Sequence, residues 1–97
     1  MAKITYDSAL RELTEKKRST KKKRLIELLT ALRFDVQPNN VGHHYSYVHP
    51  GVDFFPAGTF NGGHDRNGVI KTPYIGDAIK ILVEHAEEIR SYLETRT

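Results

Sequence analysis

Residues 42–50 read GHHYSYVHP and hold three of the chain's five histidines, His43, His44 and His49. Imidazole exchanges a proton near neutral pH, so one such side chain can serve as general base or general acid. Three readings are open: a reacting group, a metal site, or polar residues on a sheet. The tyrosines at 45 and 47 give the run the period of a strand, whose successive side chains point to opposite faces. His44, Ser46 and Val48 then share one face, and His43, Tyr45, Tyr47 and His49 the other. The tyrosine face suits a core, which leaves His44 on the open side. His43 and His44 diverge, the chain has no cysteine, and no H-x-x-x-H occurs on a helix, so no metal is expected. His49, before Pro50, suits a strand end.

GHHYSYVHP resembles the motif of a family of small ribonucleases, and metal-free cleavage of RNA needs a base for the ribose 2′-OH, a proton for the leaving 5′-oxygen, and positive charge near the phosphate. That resemblance implies His44 as the base or acid. His43, Ser46 and His64 are supporting candidates, the last beside Asp65 in the glycine-rich GGHDRNG of 62–68. Residues 11–24 carry eight basic side chains against two acidic, ending in Lys21, Lys22, Lys23 and Arg24. That cluster is either a phosphate contact or a solvated helix face. Arg66 and Lys71 are further candidates for phosphate. Residues 77–97 reverse the balance, with five acidic and three basic. Phe60 is either a base-stacking residue or a loop anchor.

The elements that must position these groups follow from periodicity. Residues 1–19 predict a marginal helix or arm, with Asp7 as cap and Leu10 and Leu13 on one face. Ser19 or Thr20 caps an amphipathic helix over 21–32. Strands are predicted at 33–37, 43–49 and 52–56, the last two joined by a tight turn at 49–51. A long connection at 57–72 holds four of the seven glycines. Pro73 then suits the first turn of one long helix reaching to about Leu93. The order predicts a two-layer α+β domain, α-β-β-β-α, with a three-stranded antiparallel sheet and both helices on one face.

That order resembles the double-stranded-RNA-binding fold, and GHHYSYVHP resembles the HicA toxin family more specifically. The family carries G-S-H-x-x-aromatic-x-H-P after its first strand and turn. Gly42, His44, Tyr47, His49 and Pro50 match in register, with His43 in place of the serine. KKRLIELLTALRFDV is similar to the family's opening helix and strand, with Arg33 where the family has glycine, and Pro56 has a counterpart at the end of the third strand. The resemblance covers roughly residues 20–85. It implies a 20–97 domain preceded by a 1–19 extension. It further implies a cofactor-free messenger-RNA endonuclease with His44 catalytic, and a HicB-like antitoxin as partner. A non-catalytic RNA-binding module of the same fold is the alternative, because fold alone carries no activity.

The 97 residues suffice for one domain with a small core, and 38% hydrophobic with 28% charged residues is ordinary for a globular chain. No apolar run reaches the roughly 18 residues of a membrane span, and no signal-peptide segment opens the chain. A cytoplasmic protein is expected, with no membrane partner and no small-molecule cofactor.

Overall fold

A computed structural model describes residues 3–39, 42–52, 58–62 and 68–95. In chain order these form α1 (Tyr6–Glu15), α2 (Lys22–Ala31), β1 (Asp35–Pro38), β2 (His44–Val48), β3 (Gly58–Asn61), α3 (Thr72–Glu84) and α4 (Ala86–Thr95). The strands make one open antiparallel sheet in the order β1-β2-β3, so the fold is α+β.

Alternation places the sheet's faces as expected. Tyr47 is buried opposite Val36 and Gly58, while Asp35, Gln37, His44, Val48 and Thr59 are exposed on the other side. Asn39 N–H donates to His44 O at 2.8 Å, which makes 39 and 44 a hydrogen-bonded pair and fixes the alternation along β1. α2 packs over β1 and α3 over β3, on the face that carries Tyr47 and Phe60.

The third strand differs from expectation. It lies at Gly58–Asn61, within the stretch that reads as a long connection, whereas Val52 is outside any strand. Residues 53–57, including Pro56, are outside the described residues. The pattern of β3 is genuine, with Gly58 and Phe60 inward and Thr59 outward, but it is four residues long and flanked by glycine, which reads as turn. The turn at 49–52 forms, with Val52 N–H donating to His49 O at 3.2 Å, yet it does not join β2 directly to β3.

Where a marginal helix or arm is predicted, α1 is capped and packed. Thr5 Oγ1 accepts from Ser8 N–H at 3.1 Å, and Ser8 Oγ accepts from Thr5 N–H at 2.8 Å, a reciprocal capping box. Tyr6, Ala9 and Leu13 form its buried stripe, and Tyr6 O–H donates to Leu82 O at 2.5 Å. A stripe built from a tyrosine and an alanine carries little apolar contrast, which hid it. The long C-terminal helix is in fact two. The chain departs from helix at His85 (φ −113°, ψ 29°), and α4 restarts at Ala86. Neither glycine nor proline marks the break, and Ile89 continues the apolar stripe across it.

α2 starts from Lys21 with no side-chain cap, because Thr20 is buried and donates its hydroxyl to Lys16 O at 2.8 Å. It ends in a Schellman motif: Phe34 N–H donates to Leu29 O at 3.0 Å and Arg33 N–H to Thr30 O at 2.9 Å. The motif puts Arg33 at φ 73°, where a β-carbon is strained. Arg33→Gly is therefore expected to stabilise the fold by about 1 kcal/mol, the left-handed cost less the added chain entropy. A thermal melt should show this as a rise of about 4–8 °C. No helix among the described residues is long and apolar enough to cross a membrane.

Candidate functional site

The site is built around the first residue of β2. Gly42 adopts φ 61°, a left-handed turn position that glycine takes without strain, and a β-carbon there would lie 3.6 Å from Cδ2 of His44. The backbone at His44 is held from both sides. His44 O accepts from Asn39 N–H at 2.8 Å toward β1, and His43 O accepts from Gly62 N–H at 2.8 Å beyond β3. The His44 side chain is exposed on the open face, opposite Asn61. Ser46 lies two residues on, between Gln37 and Thr59, and its hydroxyl donates to Asn39 Oδ1 at 3.2 Å. That bond commits Ser46 to bracing the turn that presents His44. His43 is exposed next to it in the chain. His64 and Arg66 lie outside the described residues.

His49 belongs to the core. It is 3% exposed, with its ring edge-on to Phe34 at 4.8 Å and to Tyr92 at 5.1 Å. Nδ1 accepts from Gly51 N–H at 3.0 Å, so the ring proton is on Nε2, which donates to Leu32 O at 2.9 Å. Burial holds this imidazole below its ordinary pKa, against the smaller opposing effect of the Leu32 carbonyl. A folded-state value below that of the unfolded chain means the unfolded chain binds the extra proton. Stability should then be flat above about pH 6.5 and decline as acid is added, with a slope of at most about 1.4 kcal/mol per pH unit. Urea unfolding of the wild type and His49→Gln from pH 8 to 5 checks this. The glutamine amide can still donate to Leu32 O but does not titrate, so its acid slope should be the shallower. Parallel slopes would remove His49 from the acid response.

The basic candidates divide. Arg24 is held by carboxylates: Nε meets Glu12 Oε2 at 2.6 Å, Nη2 meets Glu12 Oε1 at 2.7 Å, and Nη1 meets Glu27. The hydrogen bond from Arg24 keeps Glu12 below the usual carboxylate range. Arg24 is thus a clamp between α1 and α2. Lys22 reaches the histidine end of the sheet. Its ammonium lies 5.9 Å from the Tyr45 ring centroid, and a β-carbon at Gly62 would meet its Cδ at 2.5 Å. A short antiparallel bridge brings it there: Ile70 N–H donates to Thr20 O at 2.9 Å and Lys22 N–H to Gly68 O at 3.1 Å. The same bridge sets Lys71, at the start of α3, on the side of Thr20 and Ser19, one step along from the exposed Lys21. Nothing in the local sequence announces this pairing, because its two halves are far apart in the chain.

Phe60 is 1% exposed and stacked on Tyr45 at 5.0 Å, so it supports the sheet and presents no face to a base. Among the described residues no group of three histidines or carboxylates could hold a metal ion. The arrangement offers the exposed His44 imidazole on the open sheet face, with the Lys22 ammonium at the same end of the sheet but over the opposite face, on Tyr45. No family model, curated protein or solved structure matches this chain.

Proposed function

We propose that this chain is a HicA-like endoribonuclease of double-stranded-RNA-binding-like fold, with residues 20–97 as its catalytic unit, in which His44 moves a proton during cleavage of messenger RNA. The carrying observation is His44 itself. It stands exposed just after the left-handed Gly42, its backbone pinned to both neighbouring strands. A pinned strand fixes where the His44 side chain leaves the open face, so that an imidazole can meet a strand of RNA lying across it, which proton transfer requires. Two further features support the resemblance. Tyr47 and His49 are buried at their motif positions, and Arg33 occupies a left-handed conformation where the family has glycine.

In this reading a base removes the 2′-OH proton, the 2′-oxygen attacks the adjacent phosphorus, and the P–O5′ bond breaks. The 5′-oxygen takes a proton, leaving a 2′,3′-cyclic phosphate and a 5′-hydroxyl. Lys21, Lys22 and Lys23, at the same end of the sheet, supply positive charge that draws the RNA there. A HicB-like antitoxin would silence the chain by covering the face around His44 and Val48, the latter 40% exposed. One observation favours the non-catalytic RNA-binding alternative: the carboxylate of Asp35, across the same face, accepts from Gln37 Nε2 at 2.7 Å and lies opposite Val48 rather than His44. The deciding experiment incubates the purified protein with single-stranded RNA and a metal chelator. Fragments ending in cyclic phosphate are expected. Intact RNA that is nonetheless bound would establish the binding module instead.

A further inference from the structure

Arg24 raises a question about the rest of its cluster. Among the described residues, the lysines and arginines in salt bridges are Arg24, Lys80 and Arg90. The lysines that surround Arg24 are in none of these pairs. Its clamp on Glu12 fixes α1 against the first turn of α2, and the Thr20 hydroxyl ties that turn to Lys16 O. The exposed Lys16, Lys17 and Arg18 at the end of α1 are thereby set beside the start of α2.

From these contacts we infer that the end of α1 extends the RNA-binding surface. Lys16, Lys17 and Arg18 carry the phosphates of a single strand that continues past Lys21 and Lys22 to His44. The track can be followed residue by residue. Lys17 crosses the first turns of α3, its Nζ 3.5 Å from where a β-carbon at Gly76 would stand. Lys16 and Lys21 line one open cavity of about 390 Å³ together with the Glu12–Arg24 ion pair and the buried Thr20. Lys22 then lies over Tyr45 beside Gly62, and Gly62 is bonded to His43. Cations that form no salt bridge among the described residues, spread over three helix ends, suit a flexible polyanion better than a compact one, because each phosphate can find its own partner. The first nineteen residues thus acquire a function that the proposed cleavage site does not itself require.

The inference rests on RNA being the ligand, and the test separates the two. Binding is measured by fluorescence anisotropy in a His44→Ala background, so that the probe survives. Oligouridylates of about four and about sixteen nucleotides serve as short and long probes. Replacing Lys16, Lys17 and Arg18 together by glutamine should weaken binding of the long probe about tenfold or more. The slope of log affinity against log salt should fall by about 2, from three lost contacts at about 0.7 each on a single strand. The short probe, held near His44, should bind within about twofold of the parent. The single Arg18→Gln variant should lower the slope by about 0.7, and it retains every packing contact described above. An unchanged slope with the long probe overturns the track and leaves these cations to a protein partner. A parent protein that binds neither probe overturns the RNA reading and the track with it.

Discussion

His44→Ala is expected to lower RNA cleavage by on the order of 10²–10⁴-fold, the usual worth of one positioned proton-transfer group, while the protein stays folded. The second half of that expectation matters as much as the first. His44 is exposed and its side chain has no part in the core, whereas the backbone bonds from Asn39 to its carbonyl and from Gly62 to that of His43 survive the substitution. Thermal unfolding should therefore move by less than about 0.5 kcal/mol. His43→Ala and His64→Ala, assayed alongside, should each cost less than His44→Ala. Cleavage that persists in His44→Ala would move the reaction to another residue and remove the central residue of the proposal. Cleavage lost together with the melting transition would say only that the strand had failed.

Gly58→Ala should have the largest effect on stability. Gly58 faces Tyr47 across the ladder, and the Tyr47 ring lies over it so closely that a β-carbon would stand 2.3 Å from its Cζ and 2.4 Å from its Cε2. The ring cannot retreat. It is 1% exposed and wedged between Phe34, edge-on at 5.6 Å, and Phe60 at 6.2 Å. Its hydroxyl has no hydrogen-bond partner among the described residues, and burial raises its pKa above the ordinary phenol range. Forced overpacking at such a point costs about 3 kcal/mol or more. For a chain of this size that is about 12 °C or more in the melting midpoint. Shrinking the ring should restore space, so Gly58→Ala/Tyr47→Leu should lose much less than the sum of the two single changes. A strictly additive double variant would show that the two positions do not compete for the same volume.

What was legible in the sequence was whatever depends on neighbours within one element. The alternation of β2 placed Tyr47 and His49 inward and His44 outward, since a strand with one packed face has little choice. The leucines of α2 did the same for that helix. Elements whose identity depends on distant partners were not legible. β3 is four residues between glycines and is a strand because Tyr45 and Tyr47 stand opposite it. α1 is secured by a bond from Tyr6 to Leu82, on a helix near the other end of the chain. Charge composition marks the basic cluster but not which of its members an ion pair takes up. Arg24 and Lys22 are equivalent in the sequence. They separate only because Glu12 lies against one and Gly62 against the other.

The register of β1 limits how the protein can associate. Because Asn39 pairs with His44, the backbone groups of Gln37 and Asp35 turn toward β2, and those of Val36 and Pro38 turn outward. Pro38 has no N–H. This rim of the sheet can therefore donate one hydrogen bond, at Val36, to any incoming strand. Strand addition there, by a second copy of the chain or an extended peptide, lacks one of its ladder hydrogen bonds and is disfavoured. The β1 side is a poor template for strand addition. A protein that binds alongside β1 must therefore rely on side chains, those of the open face around His44 among them.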